Sequence, residues 1–263
     1  MKILVVQGSG RSRGNTARLD TLLEAALAAQ GAAAGVTIQL ERITLADADV
    51  RFCRGCRSCF DKGEATCPLR DDDVLSMKAK MQDADALILS GPVYINDVSG
   101  VMKNWMDRLA HVCHRPAFAG KTALLLATTG ATPARHALRT MQVAMWTWGY
   151  RVAGSAVFAA GAAMPETELR RRYAEKIARI AGKLLREVTE RKFLRPGFVS
   201  LMIFRIQQAG WRKASADSLD HAYWRDKGWL DTRRCTYFFP HGTNPITTTS
   251  ARLIGGVVSA FMT

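Results

Sequence analysis

Four of the six cysteines in this sequence fall in one short stretch, at Cys53, Cys56, Cys59 and Cys67, with Pro68 directly after the last. Their spacing, C-x2-C-x2-C-x7-C, sets three thiols three residues apart and leaves a longer step to the fourth. In a chain with no sign of export, such density argues for metal or redox chemistry rather than structural disulfides. Three thiolates at this spacing can wrap one face of a cuboidal iron–sulfur cluster, and the longer step can supply a fourth ligand. Gly55 is expected to relieve crowding where backbone approaches sulfur. Arg51, Arg54, Arg57 and Lys62 are expected to offset the negative charge of four thiolates. Zinc is the competing metal, although its structural sites usually bring two separated pairs. A redox-active or vestigial loop without metal is the third reading. Cys113 and Cys235 stand alone and read as buried thiols.

A second chemical signal lies at the start, in KILVVQGSGRSRGNT from Lys2 to Thr16. Ile3 to Val6 is a continuous apolar run, as for a strand covered on both faces. A loop of Gly, Ser and Arg follows. A helical pattern then begins near Asn15, with Leu19, Leu22, Leu23, Ala26 and Leu27 at spacings of three and four. Strand, Gly-rich turn and helix N-terminus together make an anion site, because free backbone N–H groups and the helix dipole converge there. Ser9, Ser12 and Thr16 add hydroxyls, and Arg11 and Arg13 add charge. A phosphate fits this turn. Gly14 is followed by Asn15, so no Walker lysine is present, and Arg13 replaces the last glycine of a dinucleotide fingerprint. What remains among doubly wound sheets is the flavodoxin-like one, with a mononucleotide phosphate at its first strand–helix turn.

These two sites need a scaffold, and the rest of the chain supplies one. Gly14 to Gln30 reads as the first helix, stopped at Gly31, and Val36 to Leu40 as the second strand. Asp71-Asp72-Asp73 closes the cysteine loop, and one of the three caps a helix starting near Val74. Ala84 to Gly91 reads as a strand running into Pro92-Val93-Tyr94-Ile95-Asn96. Helix is expected over 98–112, strand over 121–129, helix over 133–148, strand over 151–160 and a long basic helix over 165–192. Strands alternating with helices of this length specify a parallel sheet with right-handed crossovers. No paired carboxylates and no Ser/His/Asp set fall in the loops; His111, His114 and His136 lie in helical patterns and read as structural or surface residues.

With 263 residues and 48% hydrophobic content, the chain has ample material for a core. A strand beginning at Lys2 leaves no room for a signal peptide and no apolar run reaches membrane-spanning length, so a cytoplasmic chain is expected. The net charge of +14 favours anionic partners: nicotinamide phosphates, an acidic redox protein, nucleic acid or a membrane surface.

Three ordered motifs, GSGRSRGNT, CRGCRSCFDKGEATC followed by DDD, and SGPVYINDVSGVMKNWMDR, resemble the iron–sulfur flavoproteins of the flavodoxin-like NAD(P)H-dependent FMN reductase superfamily. The likeness covers about the first half of the chain. It implies an α/β, flavodoxin-like five-stranded parallel sheet, order 2-1-3-4-5, with helices on both faces, and an FMN cofactor. It implies Ser9, Arg11, Asn15 and Thr16 at the FMN phosphate, and Pro92, Val93, Tyr94, Ile95 and Asn96 along the isoalloxazine. Thr128, Thr129 and Gly130 would complete the pocket. The same resemblance implies a [4Fe-4S] cluster on Cys53, Cys56, Cys59 and Cys67, near the flavin of a neighbouring subunit in a homodimer or homotetramer. Where the family often shows Gly-Asn, this chain has Ile95-Asn96-Asp97.

Two units are therefore expected, an FMN-binding domain over 1–192 and a basic-aromatic C-terminal helical extension over 193–263. The extension reads as an arm packing on its own or a neighbouring subunit, ahead of a membrane-surface or nucleic-acid contact. The resulting expectation is an FMN-dependent oxidoreductase drawing electrons from NAD(P)H and passing them through the cluster to an acceptor. The alternatives are a non-catalytic electron carrier and a metal-sensing or nucleic-acid-binding module.

Overall fold

The computed structural model describes residues 1–11, 13–161, 164–190 and 195–261. Ser12, the boundary at 192/193 and Met262 lie outside the described residues. The chain runs β1 (Lys2–Gln7), α1 (Asn15–Ala33), β2 (Gln39–Thr44), a single turn α2 (Ser58–Asp61), α3 (Val74–Asp83), β3 (Ala86–Tyr94), a two-residue β4 (Asp97–Val98) and α4 (Gly100–Arg108). Next come β5 (Thr122–Thr129), α5 (Arg135–Thr147), β6 (Arg151–Ala159), α6 (Glu166–Thr189), α7 (Phe198–Lys213), α8 (Leu219–Asp226) and α9 (Pro245–Phe261).

Five strands pair in parallel in the order β2-β1-β3-β5-β6, and β4 folds back antiparallel on the end of β3. Counting the parallel strands alone, this is the expected 2-1-3-4-5 order of a flavodoxin-like sheet. Alternation along each strand divides the interior into two layers. Leu4, Val6, Leu87, Leu89 and Leu125 face α3, α4 and α5; Ile3, Val5, Ile88, Leu124 and Leu126 face α1 and α6. Leu19, Leu23 and Leu27 of α1 are fully buried against that second layer, each contributing roughly 1.5–3 kcal/mol of burial.

Several boundaries differ from those read in the sequence. The second strand is Gln39–Thr44 rather than 36–40, because pairing Lys2 with Gln39 and Gln7 with Thr44 fixes its register. Helix α1 continues through Gly31, where an added Cβ would sit 2.6 Å from Ile38 Cδ1; this glycine serves close packing, not termination. The helix expected over 98–112 ends at Arg108 and passes into a 3-10 turn at Ala110–Cys113. At the start of α3, Asp72 rather than Asp73 supplies the cap, its Oδ1 accepting from Val74 N at 3.2 Å.

Helices α7 to α9 build a core of their own, in which Leu201, Phe204, Trp224, Trp229, Tyr237, Phe238 and Ala251 are buried together. The extension is tied to the same chain: Tyr223 Oη donates to Pro116 O at 2.8 Å and Trp224 Nε1 to His114 O at 2.7 Å. Most of the aromatics that could have met a membrane or nucleic acid are spent here. No helix among the described residues is long and apolar enough to cross a membrane.

Candidate functional site

At the C-terminal edge of the sheet, where β1 and β3 send their connections to opposite sides, lies a pocket of about 640 Å³. Ser9, Arg11, Asn15, Thr16, Pro92, Val93, Tyr94, Thr128, Thr129 and Gly130 line it, together with Arg13 and Arg18, and no carboxylate does. The volume is within the range of small-molecule sites. Helix α1 points its N-terminus into this space, with Gly14 as a residue that has no side-chain cap to offer and no acid in the first turn. Its leading N–H groups and dipole are thus left for an anion. Below the turn the backbone is packed tightly: a Cβ on Gly8 would meet Met102 Cε at 2.3 Å, so α4 seats directly beneath it.

Ser9 is buried, and its Oγ accepts from Arg11 N at 3.1 Å, which shapes the loop. Thr16 Oγ1 lies 2.7 Å from Thr128 Oγ1, joining α1 to β5 on the pocket floor. Asn15 is placed differently from a simple phosphate donor. Its Nδ2 donates to Ala160 O at 2.7 Å and Gly161 O at 3.0 Å, so its backbone N–H is what it can present to the pocket. One turn along α1 from Thr16, Asp20 is fully buried and accepts from Ser90 Oγ at 2.7 Å. Burial pushes its carboxyl up to about 7 despite that hydrogen bond, and its second oxygen has no partner among the described residues.

Ile95 and Asn96 are absent from the pocket lining. They form the tip of the β3–β4 hairpin, between the pairs Val93–Val98 and Tyr94–Asp97, with φ of 50° and 65°. Positive φ at both central positions is what a type I′ hairpin turn requires, a demand that Asn meets and Ile meets only under strain. Ile95 projects into solvent, 95% exposed. The side chain thus stands at the rim rather than on the wall expected for it.

The four cysteines share a second pocket, of about 350 Å³, lined also by Phe60, Leu69 and Arg108. Burial, then the nearby thiols of Cys67, Cys53 and Cys56, push the Cys59 thiol up. Those sulfurs therefore sense one another. Among the described residues no three His, Cys, Asp or Glu side chains converge closely enough for a single metal ion. The chain bends through left-handed backbone at Gly55 (φ 63°) and Arg57 (φ 63°), between successive cysteines. An added Cβ on Gly55 would meet nothing within 4 Å. Its positive φ is a conformation that glycine adopts without strain.

Charge around the cysteines comes partly from the residues expected and partly from elsewhere. Arg51 pairs with Asp71 at 3.1 Å and Asp49 at 3.4 Å, and Arg57 with Asp61 at 3.3 Å. Arg54 and Arg57 line the cysteine pocket, and Arg108 of α4 joins them, its Nη2 3.8 Å from Cys67 Sγ. Asn104, one turn earlier, accepts from Cys53 N at 3.2 Å and donates to Val50 O at 2.9 Å. Neither residue was singled out in the sequence, although Asn104 and Arg108 stand four apart on one helix face in NWMDR. Helix α4, about 13 Å long at 1.5 Å per residue, thus runs between the two pockets. Its N-cap Ser99 donates to Gly8 O beside the β1–α1 turn, and Asn104 and Arg108 hold both ends of the cysteine loop.

Of the lone residues, Cys113 and Cys235 are half-buried rather than buried, Cys113 Sγ lying 3.3 Å from Thr147 Oγ1 and Cys235 Sγ donating to Tyr237 O at 3.1 Å. His111 is buried beside Lys78, and burial with that ammonium lowers it to about 4. His114 meets Asp220 at 2.8 Å, and His136 is exposed.

Residues 1–164 match the family described as NADPH-dependent FMN reductase. An iron–sulfur flavoprotein of Methanocaldococcus jannaschii is 40% identical over 108 residues, which cover 41% of this chain and 51% of that protein. One from Archaeoglobus fulgidus is 32% identical over 121 residues, 46% of this chain and 51% of that protein. The chain spans about half the length of the curated relatives it matches. Among solved structures, the apo form of an NADH:FMN oxidoreductase (EMOB) superposes with a TM-score of 0.51 at 22% identity, covering 71% of this chain and 87% of that one. RosB with a bound 8-demethyl-8-formylriboflavin-5′-phosphate intermediate gives a TM-score of 0.55 at 16% identity, covering 72% and 79%. These two likenesses are of fold. Matched over 164 residues that include both the β1–α1 turn and the cysteine loop, the chain belongs to the NADPH-dependent FMN reductase family.

Proposed function

We propose that this protein is an FMN-dependent oxidoreductase that takes electrons from NAD(P)H and passes them on through a [4Fe-4S] cluster. The observation that carries the reading is the pairing of two pockets across α4, a carboxylate-free anion turn at one end and four cysteines at the other. A bound flavin accepts a hydride as an electron pair and releases electrons singly, and a cluster is a one-electron acceptor. The chain's own residues do the positioning. The first N–H groups of α1, with Arg11, would hold the FMN phosphate, and Thr16 and Thr128 would close the floor beneath it. Pro92, Val93 and Tyr94 would lie along the ring, and Thr129 and Gly130 would complete the far side.

Cys53, Cys56, Cys59 and Cys67 would hold the cluster, with Arg108 beside Cys67 offsetting thiolate charge. A net charge of +14 supports an acidic redox protein as the acceptor, and a homodimer or homotetramer belongs to the same reading. The test is anaerobic. FMN-loaded protein mixed with NADPH or NADH should lose its flavin absorbance, and should then reduce a one-electron acceptor. In Cys56→Ala the first step should persist and the second should slow. Failure of both nucleotides to bleach the flavin would leave a flavin electron carrier in place of a reductase.

A further inference from the structure

The single turn α2 carries Cys59 and is entered through left-handed backbone at Arg57. One helical turn has too few internal hydrogen bonds to hold itself, and its last carbonyls find no partner within it. Arg115 supplies those partners, its Nη2 donating to Cys59 O and its Nη1 to Phe60 O at 3.3 Å. A cation at the C-terminal end of a helix also meets the dipole favourably. The backbone at Cys59 is thus anchored from outside its own loop.

The guanidinium is itself aimed from a third place in the chain. Asp220, in the first turn of α8, accepts from Arg115 Nη1 through Oδ1, and its Oδ2 meets His114 Nδ1 at 2.8 Å. Arg115 and Asp220 are both buried. The His114 ring touches Phe60 of α2 and Trp211 of α7, with centroids 4.5 and 4.7 Å away. A Cβ on Gly63 would come 3.8 Å from Leu219 Cδ1, so α8 also borders the loop beyond α2. Glu64, in that same loop, stands 3.9 Å from Arg115 Nη2.

We infer that Asp220 is a positioning residue of the cysteine site: from the extension it sets the plane of the Arg115 guanidinium, and through it the place of Cys59 among the four thiols. The inference rests on the four cysteines acting together as proposed above. A guanidinium carries its donors in one rigid fork, so a carboxylate on one arm fixes where the other arm points. With Asp220 removed, the buried charge has Glu64 as its near carboxylate and is drawn off the end of α2. Docking of the extension is a separate matter. Tyr223 Oη on Pro116 O and Trp224 Nε1 on His114 O tie α8 to the same segment without reaching the cysteine loop.

The experiment is amide hydrogen exchange on the full chain, reduced and freed of metal by a chelator, with the variants Asp220→Ala, Asp220→Asn, Arg115→Lys and Tyr223→Phe. The amides of Phe60 and Asp61 donate to Arg57 O, and that of Lys62 to Ser58 O, so these three report on α2. Asp220→Ala should speed their exchange at least about tenfold, with far-ultraviolet circular dichroism unchanged. Arg115→Lys, which keeps the charge beside Asp220 but not the fork, should do the same. Asp220→Asn keeps an oxygen for Arg115 and should recover most of the protection. Tyr223→Phe loosens the docking alone and should leave the three amides as in the parent. Iron-loaded protein gives a second reading, in which the electron paramagnetic resonance spectrum after reduction should change in Asp220→Ala and not in Tyr223→Phe. Parent-like exchange in both Asp220→Ala and Arg115→Lys overturns the proposal, and so does equal acceleration in Tyr223→Phe. The exchange is read without metal, so a parent protein that takes up no iron would count against the proposed function alone.

Discussion

Arg108 and Asp72 form a buried bidentate ion pair, and the same guanidinium reaches Cys67 Sγ, Leu69 O and Arg51 O. Through this one side chain, α4 grips both strands of the cysteine loop. Removing one partner strands a charge in a dry site, so Arg108→Ala should cost about 3–5 kcal/mol in urea unfolding. Arg108→Lys should recover only part of that, because an ammonium cannot replace the planar fork. Iron retained per chain should fall in the same order. A variant that keeps both stability and iron would remove Arg108 from the account.

The phosphate turn gives a second expectation. Arg11→Ala removes a charge-assisted contact to a dianion and should weaken FMN binding by about 1.5–3 kcal/mol, roughly 10- to 150-fold. Thr16→Val leaves the Thr128 hydroxyl without its buried partner and should lower stability by about 1–3 kcal/mol. Flavin fluorescence titration and urea unfolding separate the two effects. Unchanged flavin affinity in Arg11→Ala would place the phosphate elsewhere.

Asp20 sets a pH dependence. Its carboxyl is raised by burial from the usual 3.8 to about 7, so the folded chain keeps a proton that the unfolded chain has released. Stability from this group is therefore complete at low pH, falls as pH rises from about 4 to about 7, and is level beyond. Asp20→Asn should remove that slope and be the more stable form at about pH 8, by on the order of 4 kcal/mol. Chemical unfolding at several pH values reads this directly. A parent curve parallel to the Asn variant over that window would mean the carboxyl is not desolvated.

What the sequence disclosed and what it hid follow the same division throughout. The β1 turn and α1 were readable because strand, loop and helix are adjacent and each leaves a local pattern. A parallel sheet followed from strand–helix alternation, and its strand order from the family resemblance. Register did not: β2 is placed by its pairing with β1, which no pattern within 36–44 encodes. The grip of Asn104 on Cys53 and of Arg108 on Asp72 spans 51 and 36 positions, and that of Arg115 on the carbonyls of Phe60 and Cys59 spans 55 and 56. Asp220 of the extension binds Arg115 in turn, across more than a hundred residues. Arg108 was missed for the same reason, while Arg54 and Arg57, expected near the cysteines, do line their pocket and Arg51 pairs with Asp71 and Asp49.

Ile95 tests how far the hairpin tip is strained. A β-branched residue at φ 50° is costly, and the side chain has almost no packing to lose. Ile95→Gly should raise stability of the flavin-free protein by about 1 kcal/mol, measured by thermal unfolding. Destabilisation instead would show that the isoleucine has a partner in solution.

On the function proposed above, one chain would hold a flavin and an iron–sulfur cluster at opposite ends of α4. The most direct measurement is the content of FMN, iron and acid-labile sulfide in protein purified without oxygen, with the visible spectrum recorded alongside. The account expects one FMN per chain, iron and sulfide in equal amounts at the level of one cubane cluster, and broad absorption beneath the flavin bands. Cys56→Ala should lose the iron, the sulfide and that absorption while keeping the flavin. Anaerobic protein with zinc in place of iron, or with neither metal and undiminished electron transfer to a one-electron acceptor, would contradict it.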